Sequence, residues 1–484
     1  MLIDSPHWIS IIILLPILGA VASFLWRQHI VKIALTTATG TVISVGILSW
    51  QVISNGVQCY ELGAWNAPLG IELYVDGLSV LMLLVTAVVG FAISIYASAY
   101  FEGNKSKHFW PLWLFLWSGL NALFVSSDIF NLFVTLEIIG LSAVALVALS
   151  GGAKAITAAM RYLLVSLLGS MLYLMGVALL YHSYGTVDMV LLSLRTEMNP
   201  AMWLIMGLMT VGLLLKTALF PLHFWLPAAH SSAPVPVSAL LSALVVKASF
   251  YILWRLWIVV FPLDNDAQVG LGFILGVLGS LAIVWGGVKA LQQTRLKLLI
   301  AYSTVMQIGY LFLAFPLASI MGWKAALYFI LAHAIAKTAM FMVAGNILIH
   351  KGHDRIADLY STVQHLPLTI VAFSLSGISL MGLPPSGGFV AKWLLLEAAI
   401  VSGQWWWGIV LLVGGLLTGA YVFKVLGYAF IQENSTNEPR PIGISKRMEW
   451  TALSMALFAI VLGFIAPFVL GIMDIGSPFT KGSL

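Results

Sequence analysis

The sequence predicts an all-α polytopic membrane protein of about 14 transmembrane helices, with two inverted five-helix repeats that each contain a proline-broken helix. Three observations carry this: composition, the recurrence of apolar runs about 20 residues long, and the alternation of basic residues between loops. Of 484 residues, 61% are hydrophobic and 8% charged, and mean hydropathy is +1.01. No soluble domain of useful size can be cut from such a chain. The net charge of +5 is spread along short loops and forms no patch, so nucleic acid is not an expected partner. The single cysteine, Cys59, excludes a cysteine-ligated iron–sulfur cluster or a disulfide framework within this chain. No cofactor or metal is expected, and any redox chemistry would belong to a partner.

The apolar runs lie near 6–26, 30–53, 75–100, 109–126, 128–149, 156–182, 202–224, 236–261, 269–290, 297–316, 321–350, 366–400, 404–431 and 449–473. Loops after odd-numbered helices hold Arg27, Lys32, Lys105, Lys107, Lys154, Lys289, Arg295, Lys297, Lys351, Arg355, Arg440, Lys446 and Arg447. Loops after even-numbered helices hold only Arg195, and Lys481 lies near one end. The positive-inside rule then places the odd loops in the cytoplasm and both termini on the opposite side of a cell inner membrane. The first run lacks a basic leader and a small-residue cleavage site, so it is expected to be a retained span.

Two spans are interrupted. FPLHFWLPAAHSSAPVPVS holds Pro221, Pro227, Pro234 and Pro236, and GLPPSGG holds Pro384, Pro385, Gly387 and Gly388. Proline removes a backbone donor, so the freed carbonyls need protein or water partners, and such breaks line cavities. The two breaks stand five helices apart, and TAAMRY at 157 aligns loosely with KAALYF at 324. An odd number of helices per repeat makes the repeat inverted. The expected organisation is 1–107 (helices 1–3), 108–261 (first repeat), 262–432 (second repeat) and 433–484 (a polar loop and helix 14).

Five charges stand in the middle of spans: Glu137, Lys216, Lys247, Lys337 and Lys392. An isolated charge at the bilayer centre costs roughly 3 kcal/mol even on the lenient insertion scale, so each needs a partner, and such groups mark ion or proton paths. A structural reading of Lys216 and Lys247 requires a carboxylate for each, and Glu137 alone lies unambiguously mid-span. His333 stands four residues before Lys337 on the same helical face, where interhelical hydrogen bonding is the plainer alternative.

These blocks resemble the antiporter-like, proton-pumping membrane subunits shared by respiratory complex I, membrane-bound hydrogenases and Mrp-type Na+/H+ antiporters. The resemblance runs from VDGLSVLMLL at 75 through SSDIFNLFVTLEIIGLSA at 126 and KTALFPLHFWLPAAHSSAPVPVSALLSALVVKASFYILWR at 216 to MGLPPSGGFVAKW at 381. It implies that Glu137 is the fifth-helix glutamate, Lys216 the lysine of the broken seventh helix and Lys247 that of the eighth. It places His333 and Lys337 in a central polar axis and Lys392 at the ionisable position of the broken twelfth helix. Lys392 and the short extension after the last span favour likeness to the D subunit of Mrp-type antiporters; a related complex I member carries glutamate at that position. The resemblance further implies related antiporter-like subunits as partners and protons as the moving ion; whether Na+ also passes through this chain is left open by it.

A desolvated lysine gives up its proton more readily and a nearby carboxylate holds it, so a glutamate moving toward or away from a lysine loads or releases a proton. Glu137 is expected to switch Lys216, with Lys247, His333 and Lys337 relaying to Lys392; histidine titrates near neutral pH and suits a relay. The accessory candidates are weaker. His223 and His230 lack a third metal ligand and suit hydrogen bonding around the freed backbone. Asp128 and Asp76 suit helix caps, and Glu397 either tunes Lys392 or faces headgroups. Arg161, Arg255 and Lys424 are expected to snorkel, WLFLW and QWWW to anchor at the interface, and the loop 432–448 to be solvated. The alternatives are a proton-pumping subunit of a complex I-type NADH:quinone oxidoreductase or hydrogenase and, in a different class, a quinone- or haem-binding oxidoreductase subunit. As an antiporter or proton-pumping subunit, this chain would hold no redox centre of its own.

Overall fold

A computed structural model of the chain describes residues 7–65, 67–68, 70–262, 265–432 and 443–477, with 265–268 described by backbone alone. Arg440, Lys481 and most of the expected solvated loop 432–448 lie outside the described residues. The membrane-crossing segments are α1 (His7–Leu25), α2 (Ile30–Asn55), α3 (Gly77–Tyr100), α4 (Gly103–Val125), α5 (Ile129–Ala148), α6 (Gly152–Tyr184) and α7a (Pro200–Thr217) with α7b (Leu226–Ser232). They continue with α8 (Val235–Val260), α9 (Asn265–Gln292), α10 (Leu296–Leu317), α11 (Ile320–Lys351), α12a (Pro367–Met381) with α12b (Gly387–Val401), α13 (Trp406–Phe430) and α14 (Lys446–Phe464). Twelve of these helices are long and apolar enough to cross a membrane by length and composition. Beside them stand α4, whose Lys105 and Lys107 fall in its first turns, and the broken pair α12a–α12b. Departures from an all-helical chain are small. A two-stranded antiparallel hairpin, Gln58–Glu61 with Glu72–Val75, joins α2 to α3 and carries the exposed Cys59.

The repeat is visible in the caps. Asp128 and Arg295 stand at the N-caps of α5 and α10, and each makes an isolated bridge, to Asp188 and Arg355 respectively. The sequence offset from Asp128 to Arg295 recurs from Asp188 to Arg355. It also separates the left-handed glycines Gly185 and Gly352 that end α6 and α11, and Pro200 and Pro367 that open α7a and α12a. Segments α4–α8 and α9–α13 thus repeat one plan, and five crossings per copy turn the second upside down relative to the first.

The most deeply buried helices are α8 and α11. Outer helices keep broad apolar faces outward, with Leu18 64% and Leu416 76% exposed, as contact with lipid or neighbouring chains requires. WLFLW does not anchor at an interface. Trp113 and Trp117 are buried and stacked at 5.0 Å against Gly90 of α3, because α4 sits inside the bundle and the glycine leaves room for two indoles. In QWWW, Trp405 and Trp406 are exposed as expected and Trp407 is buried.

Arg255 does not snorkel. Its guanidinium grips Asp76 bidentately at 2.6 Å and 2.6 Å, receives further support from Tyr251 at 3.1 Å, and is 5% exposed. Asp76 caps α3 as expected, accepting from the Ser79 amide at 2.9 Å, and the arginine adds a second role. Gly77 lies so close to the segment after α14 that a Cβ would fall 1.8 Å from the Ile472 carbonyl. Together they fasten α3, α8 and the C-terminal segment at one end of the bundle. Lys424 also departs from snorkelling: its Nζ donates to the carbonyls of Leu291 and Gln293 at 2.7 and 2.9 Å, capping the end of α9. Removing one partner of a buried pair strands the other charge, which costs about 3–5 kcal/mol. Arg255→Leu is therefore expected to lower the thermal midpoint of the purified protein well below that of an Asp76→Leu/Arg255→Leu double variant, as followed by circular dichroism.

Candidate functional site

Glu137 and Lys216 form the one ion pair between mid-span side chains among the described residues, with Lys216 Nζ 3.1 Å from Glu137 Oε1. The helices that present them approach closely. A Cβ on Gly169 of α6 would lie 2.8 Å from the Gly212 carbonyl of α7a and 3.2 Å from Lys216 Cγ. Small residues of this kind let membrane helices touch backbone to backbone. Ser170 of α6 donates to Glu137 Oε1, so the carboxylate holds both an ammonium and a hydroxyl.

Lys216 is placed by the break in its own helix. α7a ends with Ala218 in the left-handed region (φ 58°, ψ 42°), an uncommon conformation for a residue with a side chain. The chain then passes Pro221 before re-forming as α7b around Pro227. The Leu215 carbonyl at the end of α7a accepts the Trp225 indole N–H at 3.0 Å, and Trp225 stacks on Tyr162 at 4.3 Å. A neutral indole thus caps the freed carbonyl, and the ammonium remains with Glu137.

The second break is capped the other way. α12a ends at Gly382, whose φ of 82° suits glycine, and the loop through Pro384 and Pro385 leads to Ser386, which caps α12b through the Phe389 amide. Lys392 of α12b points its Nζ at the carbonyls of Leu380 and Met381, 2.8 and 3.2 Å away. The Tyr310 ring lies 4.4 Å from that Nζ. A cation at the carbonyl end of a helix and over an aromatic face is doubly favoured.

Between the breaks runs a hydrogen-bonded chain across α8, α10 and α11. α8 widens into a π turn over Leu241–Val245, and Lys247 Nζ reaches back to the Ser242 carbonyl. The Ser242 hydroxyl meets Thr304 Oγ1 at 2.9 Å, and Thr304 donates to the Ile300 carbonyl at 3.1 Å. That carbonyl accepts Lys337 Nζ at 3.0 Å, and Lys337 also donates to Ser303. One turn further along α10, Gln307 donates to the Leu380 carbonyl at 3.5 Å, the same oxygen that holds Lys392. On the other side, Thr217 beside Lys216 donates to Ser249 of α8 at 3.0 Å, two residues from Lys247. Sequence reasoning missed Ser242, Ser303, Thr304, Gln307, Thr217 and Ser249. The signal was present: STVMQ sets three hydrogen-bonding side chains at helical spacing within the otherwise apolar α10.

The repeat gives this chain a further regularity. Moving Glu137 and Ser170 forward by the offset from Asp128 to Arg295 lands on Thr304 and Lys337. In the first copy the ionisable group stands on the leading helix and the hydroxyl on the following one; in the second copy the positions are exchanged.

The other sequence candidates fall as follows. His333 is 2% exposed and stacked on Phe329 at 5.9 Å. No hydrogen bond from the His223 or His230 ring to the freed backbone is seen among the described residues; the rings stack on Phe220 at 5.5 Å and Phe341 at 5.0 Å. Among the described residues no cluster of three His, Cys, Asp or Glu side chains could hold a metal. Asp128 caps α5 through the Asn131 amide at 2.7 Å. Glu397 is half-buried on α12b and takes no part in the contacts of Lys392. Lys297, counted above among the loop charges, is buried at 6% exposure inside α10, where it donates to the Ala233 carbonyl at the end of α7b.

A broken-helix bundle with paired intramembrane charges defines a class of ion-conducting membrane subunit, and the comparisons give the family. Residues 126–418 match the family described as NADH:quinone oxidoreductase/Mrp antiporter, TM, and residues 63–109 match NADH-Ubiquinone oxidoreductase (complex I), chain 5 N-terminus. The chain belongs to this family. It is 33% identical to the N subunit of the NADH-quinone oxidoreductase of Desulforudis audaxviator, over 97% of this chain and 96% of that one. It is 29% identical to the D subunit of the Na(+)/H(+) antiporter of Alkalihalophilus pseudofirmus, over 87% and 85% of the two chains. Among solved structures, a chain of the Mrp complex from Dietzia superposes with a TM-score of 0.89 at 26% identity, covering 98% of both chains. A chain of the membrane-bound sulfane sulfur reductase, an archaeal respiratory complex, does so with a TM-score of 0.90 at 29% identity, covering 98% of this chain and 97% of that one.

Because Gly169 and Gly212 let α6 and α7a touch, a bulky side chain there is expected to part the two helices and pull Lys216 from Glu137. Gly169→Leu should abolish transport in membrane vesicles, whereas Gly207→Ala, with open space around its Cα, should leave it unchanged.

Proposed function

We propose that this chain is the proton-translocating, D-type member of a multisubunit Mrp-type cation/proton antiporter. The observation that carries the reading is the Glu137–Lys216 pair, set beside a line of hydrogen-bonding groups on α8, α10 and α11. Glu137 acts as the switch. While it holds Lys216, the ammonium is stabilised; when the carboxylate turns away, the desolvated ammonium releases its proton toward Thr217 and Ser249. The path then leads from Lys247 past the Ser242 and Thr304 hydroxyls to Lys337, with His333 one turn away on the same helix. Lys392 completes the line at the second break, where it communicates with one membrane surface.

The names of the relatives support an assembly in which further antiporter-like membrane subunits flank this chain, with Na+ as the exchanged cation. The basic loops after odd-numbered crossings support their placement in the cytoplasm, in a cell inner membrane, with both termini opposite. The recurring caps support repeat boundaries at 108–261 and 262–432. A second reading, a proton-pumping subunit of a complex I-type NADH:quinone oxidoreductase, is favoured by the 33% identity to an N subunit of that enzyme.

The deciding measurement is sodium-dependent dissipation of an imposed pH gradient in everted vesicles that contain the whole assembly. Glu137→Ala is expected to remove the signal while the assembly still purifies intact; normal transport in that variant would overturn the switch. Loss of sodium stimulation in Lys216→Ala and Lys392→Ala fits the antiporter. Proton movement only with a redox substrate, and no sodium response, fits the second reading. For the hydroxyl link, Thr304→Val is expected to slow transport by roughly tenfold, ~1.4 kcal/mol on the barrier. Thr304→Ser should restore the rate, because the hydroxyl and not the methyl carries the link.

A further inference from the structure

α2 and α14 each pack on α3 and leave between them a groove of about 760 Å³ with α3 as its floor. Its wall is apolar, with Val42 from α2, Phe91 from α3, and Trp450 and Phe458 from α14. The wall's hydroxyls turn to their own helix: Thr451 donates to the Arg447 carbonyl at 2.6 Å and Ser454 to the Trp450 carbonyl at 2.7 Å. At one end stand two adjacent exposed cations, Lys446 and Arg447, in the first turn of α14. Glu449, the acid of that turn, does not line the groove.

The dimensions match half a bilayer. Phe458 lies ~18 Å along α14 from Lys446, and Val42 lies about the same distance along α2 from Ile30, at ~1.5 Å rise per residue. One leaflet of hydrocarbon is ~15 Å deep. The groove therefore sets positive charge at headgroup level and apolar surface at acyl-chain level. Ser445, at the N-cap of α14, makes no side-chain cap, so the positive end of the helix dipole adds to the two cations. These cations belong to the basic set of loops, and the positive-inside rule puts that set on the side whose leaflet carries anionic lipid.

We propose that this groove binds one anionic phospholipid, with its phosphate between Lys446 and Arg447 and an acyl chain lying along Phe91 and Phe458. The inference stands apart from the proton-path reading and shares no residue with it. The lipid would tie α14 to α2 over the face of α3.

The test is native mass spectrometry of the whole assembly purified in mild detergent, supplied with either phosphatidylglycerol or phosphatidylcholine. Wild type is expected to retain one phosphatidylglycerol per copy that Lys446→Gln/Arg447→Gln loses, with no matching retention of phosphatidylcholine. Ser454→Trp keeps both cations and fills the groove from its exposed side, and it should lose the lipid too. Equal retention in all variants, or equal retention of the two lipids, would overturn the proposal. Placing photoreactive benzoylphenylalanine at Ser454 in intact membranes separates the occupants. A phospholipid adduct supports the site, and an adduct with a neighbouring subunit refutes it.

Discussion

Everything in this bundle depends on one constraint: an ammonium taken out of water must be met by oxygen atoms fixed in advance. Lys216, Lys247, Lys337 and Lys392 are met in four places, yet among the described residues only Lys216 has a carboxylate within reach. The other three rest on backbone carbonyls, helped by Ser303 for Lys337 and by the Tyr310 ring for Lys392. An intact helix commits its carbonyls to its own amides. The breaks at Ala218 and Gly382 and the π turn at Leu241–Val245 are places where that ladder is altered, and they stand beside Lys216, Lys392 and Lys247, whereas Lys337 draws on a carbonyl within α10 and on Ser303.

The difference between the two breaks has a chemical meaning. At the first, a tryptophan satisfies the carbonyl and the lysine is left to a carboxylate. At the second, the lysine itself satisfies the carbonyls and no acid is present in its contacts. A pair governed by a carboxylate responds to a side-chain movement, whereas one governed by backbone responds only to movement of the helix. The inverted repeat therefore supplies one architecture with two electrostatic characters. The exchange of positions between Glu137 with Ser170 and Thr304 with Lys337 is the same asymmetry seen at a second pair of helix crossings.

α10 joins these sites. Ile300, Ser303, Thr304 and Gln307 form one face of it and touch the surroundings of Lys247, Lys337 and Lys392 in turn. A hydroxyl or amide can both donate and accept, so such groups set polarity between lysines without adding a buried charge. Against this polar seam stands a rigid frame: the stacked Trp113 and Trp117, and the Asp76–Arg255 pair that closes one end of α3 and α8.

Local chemistry accounts for the helical spans, the broken helices, the repeat and the placing of ionisable residues within spans. These follow from local properties: runs of apolar residues, proline's missing donor, and the cost of a charge in hydrocarbon. Capping by Asp76 and Asp128 was legible for the same reason, since a cap reaches only three residues ahead. Which residues become partners follows from packing. Arg255 reads as a snorkelling end residue until α3 brings Asp76 to it, and Lys297 reads as a loop charge until α7b lays the Ala233 carbonyl beside it. The tryptophans of WLFLW look interfacial until Gly90 opens a space for them in the interior. Ser242 and Thr304 meet across two helices distant in sequence. Composition and spacing report what a segment needs, but a partner from elsewhere in the chain is fixed only when packing brings the two surfaces together.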